Sequence, residues 1–132
     1  MTQFEAERHI LDAALVIHNK LGPGLHHTLY EIVLTHELSK RGVPVQRDHP
    51  IAIRYDGYIF DDAFRAELVV AYAIIVELKS VETLSPVHSQ RLLSQLKMSG
   101  LKLGLLINFG EASLTNGIHR VVNGGLEEAV GF

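Results

Sequence analysis

Apolar residues recur at helical spacing from the start of the chain: Ile10, Ala14, Ile17 and Leu21 follow one another every three or four positions. Thr2 with Glu5 three residues on makes a capping box ahead of this run, and Gly22-Pro23-Gly24 ends it. A second helix is predicted from about Thr28 to Arg41, stopping at Gly42, with Leu29, Ile32, Val33 and Leu38 as its apolar set. The period then shortens. "VPVQR", "PIAIRYDGYIF" and "AFRAELVVAYAIIVELKS" are rich in β-branched and aromatic residues, and Asp56-Gly57 is a hairpin signal. Strands at roughly Phe64 to Val70 and Ala73 to Leu78, joined by the short "AY" link, predict an antiparallel hairpin. "SPVHSQRLLSQLKMSG" is a marked helix, with Ser85 as N-cap, Pro86 in the first turn and Gly100 at the stop. "LKLGLLINF" is a strand buried on both faces. From Glu111 to Phe132 the chain is too Gly-rich to place, and "IHRVV" fits either a last strand or a short helix. The order is helix, helix, strand meander, helix, strand, which is an α/β fold with a mixed sheet, in one domain over residues 1–132.

One strand poses a chemical question. In "IIVELKSVE", Ile75, Glu77 and Lys79 share one face and Ile74, Val76 and Leu78 the other. A charge pair at the end of a buried strand is costly unless compensated. Either the two residues pair with each other at a sheet edge, or they serve a bound ion or substrate.

Composition narrows the choice of chemistry. A chain of 132 residues, 47% hydrophobic and 20% charged, is long enough to bury a core and is not disordered. It has no cysteine, which excludes disulfides, thiolate catalysis and Cys-ligated metal. The uncharged stretch Leu68 to Val76 is far too short to span a bilayer, so no membrane role is expected. The polar opening "MTQFEAERHI" shows no secretory signal, and a cytoplasmic location is the expectation. A formal charge of −3 argues against coating nucleic acid by bulk positive charge, though not against a local basic groove. The eight histidines include no HExxH, and His26-His27 is the sole adjacent pair.

The predicted hairpin brings Glu67 onto the strand next to Glu77. Two carboxylates and a lysine converging at a sheet edge suit Mg²⁺, which takes one or two carboxylates together with water and substrate phosphate. Such an ion lowers the pKa of a water and neutralises a phosphoryl transition state, and a nearby lysine orients the water or stabilises charge. On spacing alone, a solvated edge pair is the commoner meaning of E-x-K.

The segments "HNKLGPGLHHTLYEIVLTHELSKRGVPV", "FRAELVV", "IIVELKSVE", "SPVH" and "SGLKLGLLINFG" resemble the GxxExxY protein family of the PD-(D/E)XK nuclease-like superfamily, over about Ile10 to Val122. "HNKLGPG" and "GLKLGLLINFG" are its most specific parts. The resemblance implies a restriction-endonuclease-like core, a mixed four-stranded central sheet flanked by helices. It implies Mg²⁺ (or Mn²⁺)-dependent phosphodiester cleavage of nucleic acid, with Glu67 and Glu77 as metal ligands and Lys79 as the electrostatic or water-orienting group. Glu77 and Lys79 form the intact E-x-K half-motif, while Glu67 stands where the family usually has aspartate. "GLHHTLY" carries His27 in place of the glutamate of G-x-x-E-x-x-Y. Histidine is a poor Mg²⁺ ligand, and Thr28 with Glu31 makes a second capping box. His27 is therefore read as a residue preceding an N-cap.

In the third helix the family commonly shows "HEAQLLTYLK" where this chain has "HSQRLLSQLK", with Arg91 and Gln95 at the altered positions. Arg91 either binds a substrate phosphate or salt-bridges Glu77 in place of metal. His88 matches the family's "PVH" and is expected to position Lys79 or a phosphate. Arg65, Lys79, Arg91, Lys97 and Lys102 are candidates for guiding a phosphate backbone, with ordinary surface charge as the plainer meaning for at least half. Asp61 and Asp62 are either substitute carboxylates or a solvated turn. His18 and Tyr30 are expected to pack, with one hydrogen bond each. Two further readings stay open: a catalytically degenerate module that binds nucleic acid or a protein partner without cutting, and a structural protein whose Glu77 pairs internally. A homodimer suits double-strand cleavage, which needs two sites.

Overall fold

The computed structural model describes residues 1–125; positions 126–132 of the Gly-rich tail lie outside the described residues. Helix α1 is Gln3–Leu21, opened by Thr2, whose hydroxyl accepts the Glu5 N–H at 3.1 Å, and closed by Gly22 at φ +73°. Helix α2 is His27–Lys40. Its N-cap is His26, whose Nδ1 accepts the Thr28 N–H at 3.2 Å. The expected Thr28–Glu31 capping box is therefore absent, and His27 is the first helical residue and does not precede a cap. The buried stripe of α2 is Tyr30, Leu34 and Leu38, with Val33 packed partly beside it. Leu29 and Ile32, expected in the core, lie 42% and 47% exposed because a spacing of four, set by Tyr30, rotates them off that face.

The meander is longer than its sequence runs suggest. Strand β1, Val45–Tyr55, joins two of the predicted runs through Pro50, which an edge strand tolerates, with a register shift between Ile51 and Ile53. Asp56 and Gly57, at φ +48° and +80°, turn it into β2, Tyr58–Val70. Ala71 and Tyr72, both at positive φ, lead to β3, Ile74–Lys79, antiparallel to β2 as predicted. Helix α3, Pro86–Ser99, runs from its Ser85 cap to Gly100 in the left-handed conformation, and crosses to β4, Leu103–Asn108, parallel to β3. A 3-10 turn, Leu114–Gly117, precedes β5, Ile118–Val122, which settles "IHRVV" as an antiparallel edge strand. The sheet is thus mixed and five-stranded in sequence order, one strand wider than the expected four.

Side-chain alternation divides the core into two layers. Ile74, Val76 and Leu78 of β3, with Leu103, Leu105 and Ile107 of β4, pack under α1 and α2. Ile75 and Leu106 pack under Leu92 and Leu96 of α3. At Gly104 an added Cβ would meet Leu92 at 3.0 Å, so α3 sits close on the sheet.

The far ends of β3 and β4 are stapled. Asn108, fully buried, accepts the N–H groups of Val81 and Gly110 through Oδ1 (3.0 Å each) and donates through Nδ2 to the Val81 carbonyl at 2.9 Å. The Phe109 N–H bonds the Lys79 carbonyl at 2.8 Å. Phe109 stacks on Tyr30, centroids 4.2 Å apart, and the Tyr30 hydroxyl donates to the Gly22 carbonyl (2.6 Å) and accepts the Leu25 N–H (3.1 Å). His18 bonds the Glu111 carbonyl at 2.8 Å. This cluster fixes the start of α2 against the end of the sheet that carries Glu77 and Lys79.

Candidate metal centre

The β2–β3 ladder stops at the pair Leu68 and Val76, one step short of where Glu67 would face Glu77. The ladder ends there, and the Leu78 backbone N–H lies close enough to the Glu67 carboxylate to favour its charged form. A break in the ladder is a natural place for side chains to reach a backbone donor that a neighbouring strand no longer occupies. Glu67 is half-buried. Its pKa rises from the ordinary 4.5 to about 7, first through burial, then through the charge of Glu77; Glu31 raises it further, while Lys79 and the Leu78 N–H oppose the rise.

Glu77 is only 9% exposed, and its Oε2 is buried with no hydrogen-bond partner. Among the described residues, no lysine or arginine lies within 4.0 Å of Glu77 as an ion pair. The expected alternatives of an internal bridge to Lys79 or Arg91 are therefore not what the structure contains; Arg91 is exposed. Lys79 is half-buried, with its charge felt at Glu67. Ser80 Oγ, just beyond β3, and His88 Nδ1, in the first turn of α3, are also buried without partners. Buried polar atoms in native proteins almost always have partners, and such orphans mark places filled by water, ion or ligand.

Helix α2 brings a second set of ligand-type groups to Glu67. His27 Nδ1 lies 3.8 Å from Glu67 Oε1, and one ligand atom each from His27, Glu31 and Glu67 all fall within 4.8 Å of one another. His27 and Glu31 are four residues apart, hence on one helix face. Arg47 of β1 donates to Glu31 Oε1 through Nε and a terminal nitrogen, both at 3.2 Å. Sequence reasoning took Glu31 only as a capping residue and did not consider Arg47; the signal for Glu31 was its i+4 relation to His27.

Other candidates fall elsewhere. Gln95 is half-buried on α3, and among the described residues it makes no hydrogen bond to the centre. Arg65 pairs with Asp48 (3.4 Å) and Asp62 (3.1 Å) on the surface, and Asp61 and Asp62 are exposed within β2, away from a turn. A groove of about 980 Å³ lies between β1 and the end of α3, lined by Arg54, Tyr55, Tyr72 and Lys97 among others, and includes none of Glu67, Glu77 and Lys79. The described residues include no helix long and apolar enough to cross a membrane.

Carboxylates crowded together, one raised in pKa and one unpartnered, are held by a sheet whose order and mixed pairing agree with a restriction-endonuclease-like fold. Comparison with curated proteins and with solved structures returned no significant match. A family model described as the PD-(D/E)XK nuclease superfamily matches residues 5–121, nearly the whole of both core layers and every residue of the centre. On that match and this fold, the chain belongs to the PD-(D/E)XK nuclease superfamily.

Proposed function

We propose that the protein is a metal-dependent phosphodiester hydrolase acting on nucleic acid. The observation that carries this reading is the buried, unpartnered Oε2 of Glu77 beside Glu67. Two nearby carboxylates, of which Glu77 has no lysine or arginine at ion-pair distance among the described residues, are arranged for a cation from solution.

The donor set suits a divalent ion, Mg²⁺ or Mn²⁺, held by Glu67 and Glu77; bound there, it supplies an acidified water and counter-charge for the phosphoryl group. Lys79, leaving the strand on the same face as Glu77, orients that water and stabilises charge on the phosphate oxygens. His88 and the exposed Arg91 contact substrate phosphate from the α3 side, Arg91 in fork geometry. A second copy of the chain would supply the second site that double-strand cleavage requires, and the absence of cysteine suits a cytoplasmic setting.

A degenerate binding module predicts a protein cation filling the centre, and the described residues place none within ion-pair distance of Glu77. The first test is titration calorimetry of Mg²⁺ and Mn²⁺ into wild type and Glu77→Gln. Binding by wild type that the variant loses supports the reading and justifies a substrate search. No binding by either at millimolar metal ends it.

A further inference from the structure

We propose that His27, with Glu31 and Glu67, forms a mixed imidazole–carboxylate seat that makes this centre select a first-row transition dication over Mg²⁺. The inference rests on the reading above and concerns which ion the centre prefers.

The geometry supports a seat of this kind. With metal–donor bonds of about 2.1 Å, two donors at right angles sit about 3.0 Å apart and opposed donors about 4.2 Å apart. The His27 Nδ1 to Glu67 Oε1 distance of 3.8 Å lies between those spans. The full set, within 4.8 Å, closes onto one ion with shifts of about half an ångström. His27 and Glu31 are carried by one turn of α2, whose N-terminus is fixed by the Tyr30–Phe109 stack and the Tyr30 bond to Gly22. His27 also stacks on His26, centroids 4.5 Å apart, which restricts its ring. Glu31 gives Oε1 to Arg47, and a carboxylate with two oxygens has acceptor capacity left for an ion.

The second, independent sign of a missing ligand is Glu77. Its carboxylate is more than nine-tenths buried, has one orphaned oxygen, and stands at the step of the ladder that would face Glu67. The seat itself offers one imidazole and two carboxylates, and the charge of Glu77 acts on it through Glu67.

The chemistry of that set decides the preference. Magnesium dehydrates reluctantly and takes oxygen ligands, so an imidazole gives it little. Along the first row, affinity for nitrogen-containing sites climbs from Mn²⁺ to Co²⁺ and Ni²⁺, and imidazole is a favoured donor there. A glutamate at position 27 would keep the seat all-oxygen and remove this discrimination.

The test is calorimetric titration of the full chain with Co²⁺, Mn²⁺ and Mg²⁺, on wild type, His27→Ala, His27→Glu and Glu77→Gln. The visible absorption of bound Co²⁺ serves as a readout independent of turnover. His27 is exposed at the first position of its helix, so these variants are expected to fold, which a thermal melt checks. The expected result is that the Co²⁺-to-Mg²⁺ affinity ratio of wild type exceeds that of His27→Glu at least tenfold. His27→Ala should lose Co²⁺ at least tenfold while Mg²⁺ changes less than threefold, and the Co²⁺ spectrum should change with either variant. If wild type and both His27 variants share one ratio and one spectrum while Glu77→Gln abolishes binding, the selectivity proposal is overturned and the metal-dependent reading stands. If no ion binds wild type, both fall together.

Discussion

Replacing Glu67 with glutamine removes a carboxyl whose ionisation the folded protein resists, while keeping its shape and its ability to accept the Leu78 N–H. In the unfolded chain this carboxyl ionises near its ordinary 4.5; in the fold it holds its proton to about 7. Between those values the folded state binds the extra proton, so stability falls as pH rises from about 4.5 to about 7 and is flat above. With these two values the cost of Glu67 to folding is about 1 kcal/mol at pH 5 and roughly 3 kcal/mol or somewhat more at pH 8. The side chain retains 23% exposure, so solvent screening trims the difference to about 2 kcal/mol. Urea denaturation in the presence of a chelator, at pH 5 and pH 8, measures it. Glu67→Gln should gain about 2 kcal/mol on wild type between the two conditions, with an unchanged m-value. Saturating metal at pH 8 should reverse the order, because an ion that binds only the folded wild-type site stabilises it by mass action. A gap between variant and wild type that stays within about 0.5 kcal/mol across pH would refute the claim that Glu67 is desolvated against like charge.

Three further outcomes follow from the frame that holds the centre. Asn108→Ala removes three hydrogen bonds and leaves the Val81 and Gly110 N–H groups without partners, so chemical denaturation should show a loss of about 2–4 kcal/mol. Gly110→Ala would drive a Cβ into the Val81 backbone, 2.7 Å from its nitrogen, where no flexible side chain can yield; a loss above about 2 kcal/mol is expected in the same assay. Tyr72→Gly should raise the melting temperature, by about 0.5–1 kcal/mol of stability, because Tyr72 is exposed and holds φ +57° in a turn that favours glycine.

What the sequence made legible is local. Alternation in "IIVELKS" correctly separated Ile74, Val76 and Leu78 from Ile75, and the structure puts each set in its own core layer. The caps at Thr2 and Ser85 and the stop at Gly100 also stand, because each depends on residues within one turn. The phase of α2 did not stand. Its apolar positions, Leu29, Tyr30, Ile32, Val33, Leu34 and Leu38, nearly encircle the helix, so periodicity could not say which face is buried. Tyr30 decides it through a ring on Phe109, a residue 79 positions away. That same rotation turns His27 and Glu31 toward Glu67, whereas the spacing of Glu31 three residues after Thr28 had suggested only a capping role. The centre is thus assembled from a helix start, a strand where a ladder ends, and a neighbouring strand's last turn of alternation; each piece is readable alone, and their meeting is set by packing. The consequence for chemistry is specific to this chain. A histidine at the helix start, which in sequence looked like the loss of a ligand, stands 3.8 Å from the Glu67 carboxylate, and under the selectivity proposal it changes the donor set where it would otherwise be read as emptying it.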